Sequence, residues 1–127
     1  GHSLSSATQP RAVVYNSGTQ SVNDSTYTVL TFDSEDLDVG GMHSTVSNTS
    51  RLTIPTGCGG FYLVMGSVAY PGSAVGVRGA RLQKNGATDL IYSQYFTASA
   101  SVSTIIDIVW MGVLAATDYV ECSAYQT

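Results

Sequence analysis

The chain has 127 residues and a mass of 13.3 kDa, room for one domain and not for a second of ordinary size. Hydrophobic residues make up 43% and charged residues only 11%, with Ser and Thr together about a quarter; this excludes intrinsic disorder and solvent-washed helices, since a typical soluble domain is about 25% charged. Five Lys and Arg against nine Asp and Glu leave a net charge of −4, which excludes the clustered cations that a nucleic-acid partner requires.

Residues 1–10 open with Gly1-His2-Ser3, which resembles a cleaved expression tag, and continue Ser-rich and loose. Residues 11–127 are expected to form a single all-β domain. Ala12-Val13-Val14-Tyr15 predicts a first strand, ended by Asn16-Ser17-Gly18. Residues 26–32 predict a second, with Tyr27 and Val29 on one face. An acidic loop is expected at 33–41. Residues 51–54 form a short strand stopped by Pro55, and 60–70 a long one. The stretch 75–84 runs into Asn85-Gly86, a tight-hairpin signal because both positions tolerate positive φ. Strands at 87–95, 102–113 and 119–125 complete a set whose number and spacing suggest an antiparallel sandwich or barrel. No apolar run approaches the roughly 18 residues of a membrane span, and the longest is interrupted by Asp107.

Two strands break the usual alternation of apolar and polar residues. In 60–70, one parity carries Phe61, Leu63 and Met65, and the other Tyr62, Val64, Val68 and Tyr70. In 102–113, Ile105, Val109 and Met111 alternate with Ile106, Ile108 and Trp110. A two-layer sandwich has one dry interior, so the second apolar face needs a cover: another copy of the chain, or a loop of the same one. Taking Tyr62, Val64, Ile106, Ile108 and Trp110 as core, the interface set is Phe61, Leu63, Met65, Val109 and Met111, with Asp107 among them. A slip of one residue would exchange the two sets. Asp107 either pairs with Arg78 or Arg81 within the chain or meets its own copies at a symmetry axis, where the carboxylates would share protons, pair with Arg or hold a cation.

The remaining candidates for chemistry are few. Cys58 and Cys122 form no disulfide framework or zinc site, and either stay unpaired or bridge each other. His43 is the only histidine after His2, and it is expected to be a hydrogen-bonded structural residue. No nucleophile elbow or phosphate-binding glycine loop appears, so no enzyme and no cofactor is expected. Asp33, Glu35, Asp36 and Asp38 offer hard oxygen ligands of the kind calcium uses but lack EF-hand spacing. They read as a solvated loop or as caps for backbone N–H groups, and no metal site is expected.

The order of motifs carries a resemblance. Thr31-Phe32, Met42-His43-Ser44, Arg51-Leu52-Thr53-Ile54-Pro55, Gly60-Phe61-Tyr62, Leu82-Gln83-Lys84-Asn85-Gly86 and Asp118-Tyr119-Val120-Glu121 together resemble the globular head of complement C-one-q. That head shares its jelly roll with tumour necrosis factor. Val14-Tyr15-Asn16-Ser17 and Leu30-Thr31-Phe32-Asp33-Ser34-Glu35 are similar to the phage and bacterial branch. The resemblance implies an antiparallel jelly-roll sandwich forming a homotrimer at the tip of a viral tail fibre or bacterial surface fibre, extracellular or on a virion. Such a head would bind a cell-surface glycan or protein through the loops 33–41, 71–74 and 95–101, with Asp36, Asp38, Tyr92, Tyr95 and Phe96 as contact residues. The alternative is a purely structural trimerising cap or a capsid, spore-coat or decoration component. Two departures stand out. Thr117 occupies the position of the family's Gly before the Asp. The family also has one further strand after the last one here, pairing near the first, so the sheet is expected to lack that strand or to close differently.

Overall fold

The computed structural model describes residues 9–127; the tag-like residues 1–3 and the loose segment through residue 8 lie outside them. Among the described residues every regular element is a strand, and all named strands pair antiparallel. They are β1 (Arg11–Tyr15), β2 (Thr28–Val29), β3 (Ser34–Val39), β4 (Leu52–Thr53), β5 (Gly60–Tyr70), β6 (Val77–Lys84), β7 (Thr88–Phe96), β8 (Thr104–Leu114) and β9 (Tyr119–Gln126). A five-stranded sheet runs β2-β9-β6-β7, with β4 beside β2 on the same edge of β9. β5 pairs with β8, and β1 with β3. The chain is thus all-β and compatible with a β-sandwich.

Long runs of Val, Ile, Leu and aromatic residues make β5 and β8, because such side chains fit a pleated surface. Their ladder is unbroken from Gly60 opposite Leu114 to Tyr70 opposite Thr104. The inner side chains Val68, Tyr70, Ile106, Ile108 and Leu114 share one buried cluster with Ala80 and Leu82 of β6 and Val120, Cys122 and Ala124 of β9. Gly66 marks the closest approach of these layers. A Cβ there would stand 3.3 Å from Ile108 Cγ1, 3.4 Å from Cys122 Sγ and 3.5 Å from Leu82 Cδ2. The Tyr70 hydroxyl crosses the gap, donating to the Gly79 carbonyl at 2.5 Å and accepting the Tyr125 N–H at 3.1 Å. A buried hydroxyl needs such partners, and burial raises its pKa. Gly112 leaves room for the Trp110 indole, whose Cζ2 would lie 2.5 Å from a Cβ at that position.

Three expectations need correction. The acidic stretch 33–41 is not a loop: Ser34–Val39 is β3, laddered to β1. Acidic residues are poor strand formers, but pairing with β1 supplies the backbone bonds, and charges suit a strand exposed at an edge. Residues 26–32 shrink to a two-residue strand, Thr28–Val29, the two in ladder register with β9, although the Leu30 N–H also donates to the Cys122 carbonyl at 2.9 Å. Tyr95 and Phe96 belong to β7, which stays in register with β6 as far as Val77 opposite Phe96. Among the described residues the second edge of β5 carries no strand, and β1 pairs only with β3.

The turns explain how the layers are tied. Asn85 (φ 56°) and Gly86 (φ 69°) form the β6–β7 hairpin. Asn85 then grips the β8–β9 turn, its side-chain amide donating to Asp118 at 2.9 Å and its carbonyl oxygen accepting the Tyr119 N–H at 3.0 Å. Asp118 also accepts the Ala115 N–H at 2.9 Å. These hydrogen bonds, Asn85 first, hold the Asp118 carboxyl below its ordinary value. Thr117 sits in this turn at φ 71°, a region that a β-branched residue enters at a cost of about 1–2 kcal/mol. Glycine avoids that cost but gives up about 0.5–1 kcal/mol in chain entropy. Thr117→Gly is therefore expected to stabilise the fold by about 0.5–1 kcal/mol and to raise Tm by about 2–4 °C in thermal unfolding; an unchanged or lower Tm would count against the strain.

Candidate functional site

The most unusual surface is the outer face of β5 and β8. Its rungs are Phe61 opposite Val113, Leu63 opposite Met111, Met65 opposite Val109, Ser67 opposite Asp107 and Ala69 opposite Ile105. Phe61 is 68% exposed, Met65 71% and Met111 62%, and the other large side chains on this face are also exposed. Eleven residues at about 3.3 Å each make a stripe roughly 35 Å long. One strand of this length bearing apolar side chains on both faces is ordinary in a buried sheet and uncommon at a wet surface.

Asp107 lies on the single polar rung, opposite Ser67, and is exposed. Pairing with Arg78 or Arg81 does not occur, because both arginines belong to β6 in the other layer and are engaged there. Arg78 is buried, its guanidinium 5.8 Å from the Tyr70 ring and donating to the Val77 and Thr127 carbonyls at 3.0 and 2.9 Å. Arg81 lies 3.9 Å over the Tyr27 ring, with Asp89 at 3.7 Å. Asp107 points out of the β5–β8 layer, on the exposed parity of β8, and so away from both arginines.

The acidic residues 33–38 do not converge. Asp33 accepts the Ser17 N–H at 2.9 Å, the Ser17 hydroxyl at 2.6 Å and the Ser34 hydroxyl at 2.8 Å. Asp38 accepts the N–H groups of Met42 and His43 at 2.8 and 3.1 Å, closing the turn after β3. Glu35 meets His43 Nδ1 at 2.9 Å, and Asp36 is exposed on β3. Among the described residues no group of three His, Cys, Asp or Glu is arranged to hold a metal ion. The His43 side chain is fully buried, and its Nε2 donates to the Thr49 carbonyl at 2.8 Å. Both ring nitrogens are thereby occupied, and the residue anchors the turn rather than facing solvent.

Tyr92 and Tyr95 lie on opposite faces of β7, so the three aromatic residues singled out in the sequence do not form one patch. Tyr92 instead faces Arg81 across the ladder. It completes a recess of about 240 Å³ with Tyr27, Arg81, Asp89 and Gln94. Four of these residues escaped the sequence reading: the hairpin signal places Arg81 near Tyr92, but nothing local brings Tyr27 to them. A second recess, about 200 Å³, lies beside His43, Ser44, Asn48 and Arg51.

Both cysteines are free. Burial pushes the Cys122 thiol up to about 11, so at pH 8 a thiol reagent is expected to modify half-buried Cys58 first and Cys122 only on unfolding. Peptide mass spectrometry of the labelled protein reads the order, and early labelling of Cys122 would contradict its burial. Hydrogen bonds from the Ser17 hydroxyl and amide hold the Asp33 carboxyl below 3.8. A depressed folded-state pKa gives stability that is present above the unfolded value and is lost as pH falls through the folded one. Asp33→Asn is thus expected to lower Tm at pH 7, with the gap from the parent protein narrowing as pH falls through and below the ordinary carboxylate range; a gap that does not change with acidification would contradict it. Compared with protein-family models and with curated proteins, the chain finds no match.

Proposed function

We propose that the chain is a non-catalytic assembly and recognition domain: a jelly-roll sandwich that forms a homotrimer through the outer face of β5 and β8. In this reading it presents a cell-surface-binding head on a viral tail fibre or bacterial surface fibre. The observation that carries the reading is the outer ladder itself, with four apolar rungs and one polar rung over a stripe too long to be an incidental surface patch. The jelly-roll topology is supported by nesting, since β5 and β8 pair around the β6–β7 hairpin while β9 returns beside β2 and β4. A closed oligomer also suits such a face, on which Asp107 is the one charge that burial would take from water. Three copies would meet a partner with combined strength even when each contact is weak. A recognition role fits the engagement of His43, which leaves no free imidazole for acid–base work among the described residues.

Light scattering on the purified chain tests the assembly. The expected mass is about 40 kDa, three times the 13.3 kDa of one chain. The double variant Met65→Lys, Val109→Lys places two ammonium groups on one outer rung. It is expected to run at the mass of one chain with its far-UV circular dichroism unchanged, since both side chains are exposed. A parent protein at 13.3 kDa would overturn the reading, and a stable dimer would overturn the threefold symmetry.

A further inference from the structure

We propose that the outer face of the five-stranded sheet holds a binding site for a neutral saccharide ring, formed by Tyr27, Arg81, Asp89, Tyr92 and Gln94. This gives the recognition reading a ligand class and a place, while the site itself is complete within one copy of the chain. The recess follows from strand alternation. Ala80 and Leu82 point into the core, so Arg81 between them points outward, and its ladder neighbours on the same face are Tyr92 on β7 and Ser123 on β9. Tyr27, just before β2, folds over from the far side of β9 and packs tilted against Tyr125, ring centroids 5.2 Å apart.

The polar groups here are under-used. Arg81 lies flat on the Tyr27 ring at 3.9 Å. Its nearest carboxylate, Asp89, is 3.7 Å away, too far for a hydrogen bond. Its Nε and the Ser123 hydroxyl beside it have no partner, and both atoms are buried beneath the recess. Most buried polar groups in a finished protein interior are satisfied, so this pair marks a place where bonding capacity has been left over. The Asp89 oxygen that faces Arg81 already accepts from Gln83 at 2.8 Å, leaving its second oxygen as an acceptor. Gln94 donates its N–H to the Tyr27 hydroxyl at 3.3 Å, leaving its carbonyl oxygen. Tyr92 is 65% exposed and presents an aromatic face at the rim.

The ligand class follows from this inventory. The Arg81 Nη1 donor, 3.7 Å from Asp89, and free acceptors on Asp89 and Gln94 match hydroxyl groups, each of which both donates and accepts. The negative face of a phenol ring attracts the weakly positive C–H groups on one side of a sugar. Arg81 and Asp89 cancel in charge, and the chain carries −4 overall, which disfavours phosphate, sulfate or carboxylate ligands. A recess of about 240 Å³ is below the usual size of a drug-binding cleft, about 300–1,000 Å³, and suits one ring rather than a long chain. It lies on the side of the sandwich away from the β5–β8 outer face, so it stays open when that face is covered.

The test is an NMR titration of the isotope-labelled full chain with methyl α-mannoside, methyl β-galactoside, methyl β-glucoside and N-acetylglucosamine. N-acetylneuraminic acid and glucose 6-phosphate serve as charged arms, and a short uncharged peptide as a third. At least one neutral sugar is expected to shift the amides of Arg81, Asp89, Tyr92 and Gln94 saturably at millimolar concentration. Tyr92→Ala, at an exposed position, and Arg81→Met, which keeps the stem over Tyr27, are each expected to weaken that binding about tenfold or more with the remaining spectrum unchanged. The proposal is overturned by no saturable shift at this patch with any neutral sugar, by binding of charged sugars or peptide alone, or by full affinity in Tyr92→Ala. Light scattering on the same sample separates the two readings: a monomer that binds sugar removes only the trimer, and a trimer that binds none removes only this site.

Discussion

Eleven consecutive pairs between β5 and β8 fix two apolar faces at once, and most of the molecule is organised around that ladder. Because side chains alternate along a strand, the register that sends Val68, Ile106 and Ile108 inward necessarily sends Met65, Ile105 and Val109 outward. The inner face closes against β6 and β9 with Gly66 at a point where a larger side chain would crowd Cys122 and Leu82. With the inner face committed, the outer one has no further layer of its own chain to meet among the described strands.

With 14 charged side chains in 127 residues, most have a visible structural task. Asp33 ties Ser17 to Ser34, and Asp38 caps the turn at Met42 and His43. Glu35 orients His43, and Asp118 locks one turn to another through Asn85. Ser50 and Arg51 meet Glu121, whose residue is opposite Gln83 in the sheet. Against this economy two places stand apart. Asp107 interrupts an apolar ladder with no opposite charge beside it, and Arg81 rests on a tyrosine with donors unspent.

Much of the strand content was legible because it rests on local composition. The Asn85-Gly86 turn, Pro55 as a stop, and the doubly apolar runs at 60–70 and 102–113 are visible in a window of a few residues. Other features were not. β3 is rich in carboxylates and forms because β1 lies beside it, with a bulge between Val13 and Val14 setting the register; no window around residues 34–39 contains that partner. Residues 26–32 have the β-branched and aromatic character of a strand, yet only Thr28 and Val29 are in ladder register with β9, followed by one bond from the Leu30 N–H to the Cys122 carbonyl. The same limit hid the recess, for Tyr27 and Arg81 are 54 positions apart and meet only across β9.

The sequence by itself determined that the chain is built of strands, that two of them are apolar on both sides, and that its carboxylates lack the spacing of a calcium loop. These are properties of composition and short-range order, where each residue's preference acts on its own backbone. Tertiary structure decided which parity is buried, what the acidic stretch becomes, and which tyrosine and arginine share a surface. Those outcomes depend on pairing between segments far apart in the chain, and backbone hydrogen bonds and packing at such contacts outweigh any local preference.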